Sequence, residues 1–180
     1  MSTQLRADAQ RNLERVLDAA GELFADRGCD VSVDEIARRA GVGHATVFRR
    51  FPTKDALIAA VVAKEIEGLA AFLRQALERD DADEAFRAFA WRAGEMHARN
   101  RALYEGLQRC VADAEVAGAK AELNELVAHL VEHAQEAGAL RRDISAEHVT
   151  GLLGSAILAA PPDDWRRYLQ VVLDGLAARG

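Results

Sequence analysis

The segment Val31–Phe51, VSVDEIARRAGVGHATVFRRF, constrains the local fold more than any other stretch of the chain. It reads as a short capped helix, a glycine turn and a second short helix rich in basic residues. Ser32 stands at an N-cap position and Glu35 follows three residues later, which is the pattern of a capping box. Val33, Ile36 and Ala37 give the first helix an apolar face at helical spacing. Ala40-Gly41-Val42 makes the turn, because Gly41 can take a positive φ without steric cost. The second helix, about residues 44–51, packs through Val47 and Phe51 and turns His44, Thr46, Phe48, Arg49 and Arg50 outward. Two short helices joined in this way predict a helix-turn-helix, a unit that lays its second helix in the DNA major groove.

Charge points the same way. Between Ile36 and Lys54 stand five basic residues (Arg38, Arg39, Arg49, Arg50, Lys54) and no acid, although the chain carries a net charge of −6. The first 55 residues hold nine basic and nine acidic side chains, so the whole excess of acid lies in residues 56–180. A polyanion meets attraction only at this one patch. The competing interpretation is a solvated charged face on an ordinary helical hairpin. A nucleoid-type binder that ignores sequence is disfavoured, since architectural proteins carry broad positive surface.

Half of the 180 residues are apolar and 29% are charged, a globular composition with room for one or two domains. Only three prolines occur (Pro52, Pro161, Pro162), and few runs alternate with period two, so the chain is expected to be all-α. Cys29 and Cys110 form no CxxC pair, which suggests reduced thiols and a cytoplasmic protein. The polar N-terminal residues predict no signal peptide. The longest apolar run, Gly151–Ala160, is too short to span a bilayer, so no membrane partner is expected.

Helical spacing then divides the chain into about nine helices. The first covers about residues 8–27, with Leu13, Val16, Leu17, Ala20, Leu23 and Phe24 on one face and Gly28 as its stop. After the motif, Pro52 breaks the chain and Thr53 caps a long helix to about residue 79, some 40 Å at 1.5 Å per residue. Further helices are predicted over about 84–99, 101–113, 116–137, 145–159 and 165–178, with Asp163 and Asp164 opening the last. The small residues Gly151, Gly154 and Ser155, with Leu158, allow close helix approach. Trp165, Leu169, Val172, Leu173 and Leu176 form an apolar stripe on the final helix. These two helices are expected to form a dimer interface, the alternative being burial within one subunit.

The motif and its flanks resemble the N-terminal domain of the TetR family of bacterial transcriptional regulators. The resemblance runs through residues 8–79: LDAAGELFADRG, then SVDEIARRAGV, then GHATVFRRF, then PTKDALIAAVV. The C-terminal hundred residues are similar to the family only in length and expected helicity. The resemblance implies a three-helix DNA-binding domain at 1–53, joined by a long helix to a helical ligand-binding and dimerisation domain at 54–180. It implies a homodimer on double-stranded DNA, at a palindromic operator. The DNA-facing set it implies is Val33, Gly43, His44, Ala45, Thr46, Phe48, Arg49, Arg50 and Lys54. Gly43 stands where a capping serine is common, and Phe48 where a tyrosine is usual, which keeps a ring contact and loses a hydroxyl. Arg49 and Arg50 can reach phosphates or guanine edges, and Lys54 a phosphate.

A regulator of this kind is expected to be released by an unidentified small-molecule effector that favours one position of the long helix and so changes the separation of the recognition helices. Phe89, Met96, His97, Tyr104, Leu107 and Cys110 are the expected pocket walls, with plain core packing the alternative for each. One enzymatic alternative stands beside this. His129, Glu132 and His133 spell HxxEH, the metal-binding pattern of inverted zinc proteases, which suggests a metal-binding helical protein or a zinc hydrolase. A catalytic zinc needs a third protein ligand, and none stands out in the sequence. No nucleophile elbow or phosphate-binding glycine loop is visible, and neither a cofactor nor a catalytic residue is expected.

Overall fold

Pro52, Thr53 and three glycines punctuate the chain where the structure changes direction. The structure is a computed structural model that describes residues 2–79, 81–101 and 113–178. Among these residues it is all-α, with eight α-helices: α1 (Ser2–Arg27), α2 (Val33–Ala40), α3 (His44–Arg50), α4 (Lys54–Leu77), α5 (Ala82–Arg99), α6 (Ala114–Glu136), α7 (Ala146–Ala159) and α8 (Trp165–Leu176). A short 3-10 turn, Gly28–Asp30, follows α1. The helix expected over 101–113 lies outside the described residues.

The described residues form two compact units, parted inside α4 between Lys64 and Glu65. The sequence places its domain boundary earlier, at Thr53/Lys54. Pro52 and Thr53 mark a helix start there: the Thr53 hydroxyl accepts the Ala56 N–H at 3.1 Å. The first unit holds α1, α2, α3, the opening of α4 and, from the described part of 100–117, the start of α6. Val16, Ala20 and Phe24 of α1 are buried with Ile36, Ala37, Val47 and Leu57. α1 begins six residues before its expected start at Asp8, because helical propensity carries on past the apolar stripe.

The second unit holds the rest of α4, then α5, α6 from Gly118, α7 and α8. Asp81 and Asp113 cap α5 and α6: their carboxylates accept the Glu84 and Glu115 N–H groups, both at 2.9 Å. Ser145 opens α7 in a capping box with His148. α8 starts at Trp165 with Asp164 ahead of it, but that carboxylate accepts no capping hydrogen bond, and the helix ends at Leu176 rather than near 178. The chain after Leu176 pairs with the turn before α7 instead: Arg141 N–H donates to the Leu176 carbonyl and Ala178 N–H to the Ala139 carbonyl, each at 3.0 Å.

α5 and α8 meet at Gly94. A Cβ there would sit 2.5 Å from Cζ3 of Trp165 and 3.0 Å from Leu169, so the approach requires glycine. Trp91 meets Trp165 edge-on, ring centroids 6.0 Å apart. This packing bears on the residues expected at a dimer interface. Trp165, Leu169, Leu173 and Leu176 are buried within their own subunit, each at 5% exposure or less, where α5 and α7 cover them. A stripe of five apolar residues needs one partner face, and the subunit supplies it. Val172 is half-buried, as is Gly154, while Gly151, Ser155 and Leu158 are exposed.

Candidate nucleic-acid interface

The site is built on α2, the turn and α3. Ser32 Oγ accepts the Glu35 N–H at 3.3 Å, one half of the expected capping box. The other half does not form, because the Glu35 carboxylate turns to Arg27 at 2.6 Å and to Arg38 at 3.8 Å. Gly41 ends α2 in the left-handed region at φ 65°, and its N–H reaches back to the helix. Arg15 of α1 donates its guanidinium to the Ala40 and Gly41 carbonyls, the second at 3.1 Å. It satisfies two acceptors that a helix end leaves unpaired, and it fixes the turn from outside. Sequence reasoning missed Arg15's hold on the turn, since no local spacing connects it to carbonyls 25 and 26 residues away.

α3 is anchored by Val47 at 1% exposure and followed by the buried Phe51. One turn of helix on either side faces outward. Gly43, His44, Ala45, Phe48, Arg49 and Arg50 are exposed; Thr46, Val33 and Lys54 are half-buried. Gly43 caps α3 without a side-chain hydrogen bond. Phe48 is 41% exposed, a large apolar ring left in water against the His44 ring. Arg50 lies over the Phe51 ring at 5.7 Å.

The electrostatics single out three cations. Arg39 is paired with Glu22 at 2.6 Å, and Arg38 is within 4 Å of Glu35. Among the described residues no carboxylate lies within that distance of Arg49, Arg50 or Lys54. Positive groups without a carboxylate partner are free to take phosphates. An open groove of about 600 Å³ runs between α1 and α3, lined by Leu13, Val16, Val47 and Phe51 with Asp8 and Arg49 at its rim.

The other sequence candidates fall elsewhere. Phe89 and Met96 are buried on α5. His97, half-buried, donates from Nδ1 to the Ala93 carbonyl at 2.9 Å. Burial holds its pKa below the ordinary 6.5, with the nearby Lys120 charge adding to that and the Ala93 bond opposing it. Tyr104, Leu107 and Cys110 lie outside the described residues. On α6, His129 and Glu132 are exposed and His133 is half-buried. Among the described residues no three His, Cys, Asp or Glu side chains converge as a metal ion requires.

Comparison with known proteins places this geometry. Residues 16–61 match the family model of bacterial regulatory proteins of the tetR family, and residues 81–178 match that of the SbtR-like transcriptional regulator C-terminal domain. The chain belongs to the TetR family. A crystal structure of a TetR transcription regulatory protein from Mycobacterium vanbaalenii is 36% identical, covers 97% of this chain and 99% of its own, and superposes with a TM-score of 0.77. The HTH-type transcriptional repressor Rv3405c of Mycobacterium tuberculosis is 50% identical over 48 residues, 26% of each chain. The HTH-type transcriptional activator FasR of Mycolicibacterium smegmatis is 41% identical over 64 residues, 35% of this chain and 29% of its own. The matched stretch thus spans about a quarter of the length of these curated relatives. Members of the TetR family are DNA-binding transcriptional regulators, not enzymes. No helix among the described residues is long and apolar enough to cross a membrane.

Proposed function

We propose that this chain is a cytoplasmic, homodimeric transcription regulator that reads a palindromic operator through α3, most naturally as a repressor released by a small-molecule effector. The observation that carries the reading is the exposed face of α3: His44, Ala45, Phe48, Arg49 and Arg50 stand in water on a helix pinned from behind by Val47. A buried back and an unpaired cationic front are what a groove-reading helix needs. Residues 1–53 serve as the DNA-binding domain and residues 54–180 as the ligand-binding and dimerisation domain.

Within this reading Gly43, His44 and Ala45 face base edges, Thr46 and Phe48 approach the backbone or a thymine methyl, and Arg49, Arg50 and Lys54 hold phosphates or guanine. Val33 supports the approach from α2. Rv3405c, named a repressor, supports repression, while FasR, named an activator, is a relative of the opposite sign. The second subunit meets the face left open by α7 and α8, where Gly151, Ser155 and Leu158 are exposed beside Leu152, Tyr168 and Val171. An effector taken up near Phe89, Met96 and His97 acts by favouring one position of α4, a single helix that runs from the first unit into the second. It must bind the two positions with different affinity to shift them.

Arg49→Ala and Lys54→Ala test the DNA reading. Each lowers operator affinity and reduces the slope of log affinity against log salt by about one unit if it holds one phosphate. Slopes unchanged in both variants, measured by fluorescence anisotropy, contradict the assignment.

A further inference from the structure

The His44 ring is held on two sides. Its Nδ1 meets the Asp34 carboxylate of α2, and its face lies against the Phe48 ring one turn along α3, centroids 4.4 Å apart and planes tilted by 32°. Nε2 has no hydrogen-bond partner among the described residues. Asp34 is itself exposed and acidic on a surface that otherwise presents cations to DNA. A carboxylate there weakens attraction to phosphate, so its position asks for a specific purpose.

An ionised carboxylate only accepts hydrogen bonds. The imidazole nitrogen facing it must therefore carry the proton. In a neutral ring this leaves the lone pair on Nε2, the atom free to meet a base. A lone pair aimed into the major groove accepts from an amino group. Cytosine N4 and adenine N6 supply one; guanine and thymine present acceptors there and repel it. We propose that Asp34 is a specificity-determining positioning residue: by fixing the tautomer of His44, it makes the base facing His44 a cytosine or an adenine. This inference rests on the DNA reading proposed above. Asp34 touches no DNA in it and acts through His44 alone.

Asp34→Asn separates the two possibilities, since a carboxamide both accepts and donates and leaves either tautomer open. The experiment is selection from a random duplex pool with the full chain at pH 8, using the natural sequence, Asp34→Asn and His44→Ala. His44→Ala marks the position concerned as the one whose preference disappears. The natural chain is expected to select cytosine or adenine on one strand at that position. In Asp34→Asn, guanine rises there by about fivefold with the rest of the operator unchanged. Side-chain ¹⁵N shifts of the free protein give a second readout independent of DNA: His44 should be protonated at Nδ1 in the natural chain and mixed in Asp34→Asn. An operator selected by both proteins with the same base preference at the marked position overturns the inference and leaves the DNA reading standing, as does an Nε2-protonated His44 in the natural chain. A pool with no enriched sequence removes both.

Discussion

Single side chains set the limits of this molecule at two places. At Gly94 a methyl group is enough to collide with Trp165. Gly→Ala inside a helix ordinarily stabilises by about 1 kcal/mol, but overpacking at 2.5 Å outweighs it. Gly94→Ala is expected to destabilise by about 1–3 kcal/mol, read as a lower midpoint in urea with an unchanged m-value. At His97 the consequence is a pH dependence. The folded protein keeps this imidazole neutral to a lower pH than the unfolded chain does. Below about pH 6.5 the unfolded state takes up a proton that the folded state refuses, so this contribution to stability is complete above 6.5 and is lost as pH falls through the lowered folded value. His97→Gln should flatten the decline in stability between pH 7 and 5, checked by urea melts across that range. Neither effect was legible in the sequence. Gly94 sits in a helix with no turn signal near it, and its partner lies 71 residues away. His97 reads as a pocket wall in the sequence, and its bond to the Ala93 carbonyl and its burial come into view only with the fold.

At the scale of elements, α3 works because its neighbours hold it. The turn hangs from α1 through Arg15, and Ser32 caps α2. Arg15→Ala is expected to weaken operator binding more than it lowers the melting temperature, because it frees the turn that aims α3 while leaving Val47 and Phe51 in the core; equal folding and binding losses in calorimetry and anisotropy would argue for a purely structural bond. The helix-turn-helix was readable from residues 31–51 because each cue in it is local: a cap, an apolar face, a glycine in the left-handed region, a run of basic residues. Glu35 shows where such cues stop. Its spacing to Ser32 fits a capping box, yet Arg27, eight residues upstream, competes for the carboxylate and wins. Asp34 and His44 are also joined only by the fold, since the turn between them brings α2 back against α3. The C-terminal half carried less local information. Its helices were visible from their spacing, whereas its match to the SbtR-like domain lies in a dispersed pattern across residues 81–178 that no short motif reveals.

For the whole molecule, the question is which apolar surface belongs to one subunit and which to two. A strong stripe on α8 suggested the latter for Trp165, Leu169, Leu173 and Leu176, and the packing of α5 and α7 claims them for the former. What remains outside is Leu152, Leu158, Tyr168 and Val171, all large, apolar and over 40% exposed. Four large apolar side chains exposed on two helices that pack together are the candidates for contact with a second subunit. Leu158→Asp with Val171→Asp should therefore convert dimer to monomer in sedimentation while leaving the subunit folded, whereas Leu169→Ala should cost about 2–5 kcal/mol of stability whatever the assembly. Loss of the dimer should abolish binding to paired half-sites, since two recognition helices must engage one helical turn or a multiple apart. The most direct test of the central claim is selection of bound duplexes from a random pool by the purified protein at moderate salt. The account predicts an enriched palindrome whose half-sites are spaced for two copies of α3. Folded protein that enriches no sequence, or a single unpaired half-site, would contradict it.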